Sequence, residues 1–441
     1  MSAEPQSIAA LRKAFAQGAS TPLSALEACR ARAEARNAAL NAIVHPLWAE
    51  AEAAARASTQ RWRDRKPLSL IDGAPIAVKA NVAVEGAPWT AAMAPFAQRM
   101  AQSDAACVAR LRAAGVVVIG VANMHEAAFG ATTTSPLYGA CMHPLRDGYT
   151  PGGSSGGSAA ATAAGFCAGA IGTDTMGSVR LPSAYCGIVG MKPSFGRVSR
   201  AGVELLSWSL DHVGVHAATP ADARLLLDAI QGYDARDPFS LAFDIDEGEL
   251  DLHGVRIGAP ALDVAVEPDI AAAFDRAKTR FAALGAELVA VDWDVSFAAV
   301  RRAALLVTEA EGAVALAAVR DDGGLSSGLR ALLAYGATMP AEKLARAYFD
   351  IAHTRAALRR AFDAIDAVIL PTTPHVAFPH DQPAPAAQAD LTALANVAGL
   401  PAISVPMGAD AQGLPCGLQI VAPFGEDAFC LALAEAFDSP S

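Results

Sequence analysis

No block of lysines and arginines long enough to grip a phosphate backbone occurs in the 441 residues, and the formal charge is −11. Clustered cations drive nucleic-acid binding, so a nucleic-acid partner is not expected. Long apolar runs are scarce as well. A membrane-spanning helix needs about 20 apolar residues, and the nearest approach, the Ala- and Gly-rich stretch 156–172, is interrupted by Ser158 and Thr162. The opening MSAEPQSIAALRKAFAQGAS has no charged stretch followed by a long apolar core, and reads as an amphipathic helix rather than a signal peptide. Paired cysteines are missing too. Cys29, Cys107, Cys141, Cys167, Cys186, Cys416 and Cys430 are scattered and odd in number, as expected of reduced, mostly buried thiols in a cytoplasmic protein. Charged residues are 18% and aromatics 6%, while 53% of the chain is apolar, ample for a large core.

What is present is an alternation of helix and strand signals. Pro22 precedes a helical pattern over Leu23 to Arg36, and residues 74–80, APIAVKA, have the length and apolarity of a strand. Ser103 is placed to cap a helix that Gly115 ends, and VVVIGV (116–121) follows as a strand. Thr219 with Asp222 marks a helix start running to about Ile230. Strands at 255–260 and 286–292 flank a helix at 268–284, and long helices cover 297–318 and 341–364. AVILP (367–371) is a strand stopped by proline, and a Pro-rich loop follows to Ala387. The end reads helix 389–398, strands 401–406 and 417–422, helix 426–437. Strands that do not alternate between apolar and polar have both faces covered, so the prediction is an α/β fold. There is no fixed-period repeat and no charged linker. The chain is read as one domain over 1–441, with a helical N-terminal segment (1–65) and a peripheral helical insertion at 235–365.

Residues 150–200 differ from the rest, with glycine and serine crowded into two loops beside apolar segments. GGSSGGS (152–158) lacks the lysine that a phosphate loop requires. A dinucleotide fingerprint and a GxSxG elbow both require a strand directly before, and HPLRDGYTP is not one. A flexible linker would not have apolar flanks. A catalytic loop of another kind fits best. Upstream, Lys79 sits inside an apolar strand, where an unpaired ammonium is costly; burial lowers a lysine's pKa and lets the neutral amine act as a base. None of the nine histidines has a context that marks it as the base.

PGGSSGGSAAA followed by GTDTMGSVRLPSAYCGIVGMKPSFGRVSRAG resembles the signature of the amidase signature family. DGAPIAVKANVAVEG (72–86), AGVVVIGVANMHEAAFG (114–130), SLDHVG (209–214), AVILPTTP (367–374), NVAGLPAISVPMG and GLPCGLQIVAP (396–423) resemble its other landmarks in order. The resemblance implies a large mixed β-sheet covered by helices on both faces, hydrolysis of a small-molecule amide, and no metal or organic cofactor. It assigns Ser178 as nucleophile, Ser154 as bridging serine behind a cis Gly153–Ser154 bond, and Lys79 as base. Ser155, Asp174 and Arg180 support the loops. Backbone N–H groups of Thr175, Met176, Gly177 and Ser178 form an oxyanion hole. Met93, Phe129 and Tyr138 are candidates for the acyl pocket, with Trp89 and Cys141 nearby, and Arg330 stands where some relatives contact a substrate carboxylate. A homodimer is a further candidate.

Two positions depart from the family pattern. TMGS stands where TGGS is usual, so Met176 brings a flexible apolar side chain to the oxyanion turn without removing an N–H. VKAN stands where VKDN is usual, so Ala80 deletes a carboxylate beside the base. Three other readings stay open. The first is a ureide hydrolase of the carboxybiuret or allophanate kind, which VRLPSAYCG and IQGYDARDP fit loosely. The second is the glutaminase subunit of a tRNA-dependent amidotransferase, against which HEAAFG replaces the usual DEFAMG and the chain reads as short. The third is an inactive binding subunit. His375, His380 and Asp381 match no standard metal spacing and are read as loop residues.

Overall fold

The computed structural model describes residues 5–243, 252–291 and 293–439. Its core is an 11-stranded sheet. In chain order the strands are β1 (Ile43–Pro46), β2 (Pro75–Lys79), β3 (Val117–Ala122), β4 (Gly169–Asp174), β5 (Val189–Lys192), β6 (His212–Ala217), β7 (Arg256–Gly258), β8 (Glu287–Val289), β9 (Ala367–Pro371), β10 (Ala402–Ala409) and β11 (Pro415–Val421). They lie side by side as β1-β3-β2-β4-β6-β5-β10-β11-β9-β7-β8. The β3-β2-β4 and β9-β7-β8 groups are parallel and the remaining pairs antiparallel, so the sheet is mixed.

Both faces are covered, as the unalternating strands predict. Along β2, Ile76 and Val78 pack into a cluster with Val108 and Leu111 of helix Ala106–Ala113 and Leu226 of helix Pro220–Ile230. Ala77 points the other way, into a cluster with Leu26 and Ala33 of helix Pro22–Leu40 and Ala51 and Ala55 of helix Trp48–Arg63. The period of two thus delivers successive residues of one strand to two separate cores.

Several helix starts follow their sequence signals. Thr219 accepts the Asp222 N–H and Pro220 stands in the first turn. Thr21 and Ser24 form a reciprocal capping box. Others differ. Helix Ala106–Ala113 starts behind Ala105 with no side-chain cap, so Ser103 does not play that part. The first sixty residues include β1 between their helices. Helix Ser327–Ala337, capped by Ser326, lies between two predicted helices. The predicted helix at 389–398 is reduced to Ala393–Val397. Among the described residues, 235–365 contribute β7 and β8 to the sheet besides four helices. The seven cysteines are free and buried. No helix among the described residues is long and apolar enough to cross a membrane.

Candidate active site

Three neighbouring segments bring the predicted groups together. β2 ends at Lys79, the glycine-serine loop 152–158 runs into helix Gly156–Ala163, and β4 ends at Asp174 before the turn 175–179. Because β2 and β4 pair in parallel, their C-terminal ends lie side by side and both loops leave from the same edge.

Lys79 is fully buried. Its Nζ donates to Ser154 Oγ at 2.7 Å, Thr173 Oγ1 at 2.8 Å and Thr173 O at 3.3 Å. Burial pulls its pKa from 10.5 to about 7, although Asp211 and Asp174 favour the charged form. The amine is therefore poised between its two states at neutral pH. His125 and His216 are pushed down by burial, to about 4 and about 3, and stay neutral beside it.

The Gly153–Ser154 peptide is cis, as the resemblance implies. Ser155 fastens the two loops together. Its N–H donates to Ser178 O at 3.2 Å, and its hydroxyl donates to Thr173 O at 3.0 Å. Among the described residues no direct bond joins the Ser154 and Ser178 hydroxyls. Hydroxyl contacts of this kind are often long before substrate binds.

The turn after β4 is shaped by Asp174. Its carboxylate accepts the N–H of Gly177 at 2.7 Å and of Val179 at 3.1 Å, and takes Arg180 in a fork at 2.9 and 3.0 Å. Burial opposes ionisation there, yet the guanidinium holds the carboxyl well below its ordinary range. Arg180 is fully buried and also reaches Thr392 O, Gln419 Oε1 and Asn396 Oδ1. Asp174 and Arg180 thus tie the turn to the segments around it. Gly177 differs from expectation: its N–H is spent on Asp174. Its φ is +131°, and a Cβ there would lie 2.2 Å from Thr392 Oγ1, so the position demands glycine for its backbone rather than as a donor.

Ser178, Thr175 and Met176 open onto a cavity of about 190 Å³ walled by Phe129, Leu206, Thr308 and Gln388, with Arg301 at one side. Phe129 is where the sequence placed it. Three other pocket candidates are not. Met93 is fully buried in the main core cluster. Tyr138 is half-buried, with its hydroxyl tied to Thr90 Oγ1 at 2.8 Å. Arg330 is exposed, because Leu329 and Leu333 take the core-facing stripe of helix Ser327–Ala337 and turn it outward. Trp89 and Cys141 also lie off the cavity; the Trp89 ring N–H bonds Asn81 O at 3.0 Å. The His380 and His375 rings bond Cys141 O and the Tyr185 hydroxyl, at 2.7 and 3.0 Å.

Several functional neighbours went unread. Thr173 holds the lysine, and Asp211 accepts the Thr175 hydroxyl at 2.6 Å. Arg301 supplies the cavity's cation, where Arg330 had been expected to. Thr173 and Asp211 lie in the GTD and SLDHVG motifs, but their partners are remote in sequence. Arg301 carried no local signal.

A mixed, helix-covered sheet with a buried lysine and paired serine loops at the C-terminal ends of neighbouring strands, beside an apolar cavity, is the arrangement of a serine–lysine hydrolase. The Amidase family model matches residues 24–431, and the chain belongs to that family, the amidase signature enzymes. It is 38% identical to a Glutamyl-tRNA(Gln) amidotransferase subunit from Anaeromyxobacter sp. (strain K), over 94% of this chain and 93% of that one. A solved structure described as "an unexpected vestigial protein complex" that "reveals the evolutionary origins of an s-triazine catabolic enzyme" superposes with TM-score 0.92 at 30% identity, covering 98% of each chain. The peptide amidase of Stenotrophomonas maltophilia superposes at 0.88 with 27% identity, over 98% of this chain and 96% of that one. The chain covers 93% of the amidotransferase relative, in an alignment of 465 positions against its own 441 residues, so it is the more compact of the two.

Proposed function

We propose that the protein hydrolyses a small carboxamide to a carboxylic acid and ammonia through an ester on Ser178. The observation that carries this is the buried lysine, poised near neutrality and 2.7 Å from Ser154 Oγ, in a loop bonded to the one that presents Ser178 to the cavity. Ser178 Oγ attacks the amide carbon. Its proton moves to Ser154 Oγ as the Ser154 proton moves to Lys79 Nζ. The N–H groups of Thr175, Met176 and Ser178 stabilise the negative oxygen. The proton then returns through Ser154 to the leaving nitrogen, the C–N bond breaks and ammonia departs. Water attacks the ester by the same relay, releasing the acid and restoring Ser178. Serine–lysine chemistry is a known substitute for the histidine-based triad.

The seven buried thiols support a cytoplasmic setting. The test is ammonia release over aliphatic, aromatic, dicarboxylic and ureide amides, with glutamine included. Ser178→Ala and Lys79→Ala should each abolish turnover in folded protein, and the double variant should lose no more than either alone. Losses that add in free energy would count against a shared relay. A second reading, the glutaminase part of an amidotransferase, is favoured by the 38% identity at nearly full length, and predicts that glutamine is the best substrate.

A further inference from the structure

We infer that the cavity selects a small amide whose acyl chain ends in a carboxylate and carries no ammonium, with Arg301 as the partner of that carboxylate. This rests on the amidase reading of Ser178 and narrows its substrate. The walls are largely apolar, including Phe129, Leu206 and Leu305, and Arg301 is the one charged side chain among the described residues that line it. At about 190 Å³ the space lies below the usual range for ligand pockets, so the acyl group is short.

Arg301 is held for this task. It stands on helix Phe297–Ala315, with Leu305 and Thr308 on the same cavity-facing stripe. Thr308 Oγ1 lies 3.9 Å from Met176 Sδ, so that wall is continuous with the turn that carries Ser178. Asp390 pairs with Arg301 through Nε, and the two side chains are 6% and 19% exposed. A bond at Nε fixes the guanidinium plane and leaves the Nη1/Nη2 edge, which can also take a carboxylate by two parallel bonds. In a largely apolar pocket that edge is worth more to an anion than in open solvent.

The same lining argues against an amino-acid amide. No aspartate or glutamate lines the cavity among the described residues, and the Asp390 carboxylate behind Arg301 is already paired with it, so a substrate ammonium would lose its water beside a guanidinium and gain no free anion. Glutamine should therefore be a poor substrate.

Three probes separate the terms: glutaramate, its neutral near-isostere 5-methylhexanamide, and glutamine, which is glutaramate with an added ammonium. Glutaramate should exceed each of the others in kcat/KM by roughly tenfold to a hundredfold, the range of a charge-assisted hydrogen bond. In Arg301→Gln the ratio of glutaramate to 5-methylhexanamide should fall toward one. Equal rates for glutaramate and 5-methylhexanamide, a preference for glutamine, or a ratio unmoved by Arg301→Gln would overturn the inference. Calorimetric titration of glutarate and of hexanoate into the Ser178→Ala protein reads the subsite without turnover and without touching Arg301. Tighter binding of glutarate supports the subsite even if no amide is cleaved, an outcome that would sink the amidase reading alone. No preference for glutarate sinks the subsite.

Discussion

At the scale of single residues, Lys79 makes the most direct statement about pH. Its folded pKa near 7 lies below the ordinary 10.5, so the unfolded chain binds more protons between those values and folding gains as pH rises through that window. In the proposed mechanism the neutral amine is the base, so kcat/KM should rise through an acidic limb near pH 7. Asp211 favours the ammonium, and Asp211→Asn keeps a similar shape at Thr175 while removing that charge. The limb should move to lower pH; an unmoved or raised limb in the pH–rate profile would show that Lys79 is not the titrating base. Met176 allows a second test. Its side chain lines the cavity and its N–H survives substitution, so Met176→Gly should change the ratio of kcat/KM for a bulky and a small amide. Loss of an oxyanion donor costs about 10²–10³-fold in turnover. An equal loss of that size for both amides would mean instead that Met176 shapes the turn's backbone.

Elements were legible where hydrophobic pattern and cap agreed, and lost where composition masked them. Helix Pro220–Ile230 has a threonine cap, a first-turn proline and buried Ala223, Leu226, Leu227 and Ile230. Helix Ser327–Ala337 has a cap and the Leu329–Leu333 pair, but Gly323, Gly324, Gly328 and Gly336 dilute its helical signal. Gly336 is there because a Cβ would meet Glu309 O at 1.9 Å, a packing reason invisible in one sequence. β1 has four residues, one of them proline, and becomes a strand only because β3 offers it an edge. Asp222 shows how elements are joined after they form: from helix Pro220–Ile230 it accepts Ala9 N at 2.8 Å and Ser7 Oγ at 3.2 Å, anchoring the start of helix Ile8–Gln17. Asp222→Ala should therefore cost about 1–3 kcal/mol and reduce hydrogen-exchange protection in 8–17 before that of β3. Equal loss in both would show that the first helix does not open separately.

At the scale of the molecule, the two glycine-serine loops were readable because each is a short contiguous motif. What holds them was not readable, because it arrives from far along the chain. Arg180 follows Ser178 by two residues, yet its partners come from β4 (Asp174), the segment before helix Ala393–Val397 (Thr392), that helix itself (Asn396) and β11 (Gln419). The bonds span up to 239 residues of sequence. They stitch the parallel β2–β4 region to the antiparallel strands across the sheet, directly beneath the turn that carries Ser178. Removing one partner of a buried pair leaves the other charged and dry, which typically costs 3–5 kcal/mol, about ten times the effect of an exposed ion pair. Arg180→Met should lower the urea midpoint by an amount equivalent to about that energy, with little change in the slope. Asp174→Asn combined with Arg180→Met should recover part of the loss, because no uncompensated carboxylate remains, giving a double-mutant coupling of about 1–3 kcal/mol. The exposed pair Arg30–Glu34 is the internal control: Arg30→Met should stay within about 0.5 kcal/mol. If Arg180→Met proved no more damaging than Arg30→Met, the turn would be held by the Asp174-to-backbone bonds alone, and Arg180 would serve the site without holding the sheet together.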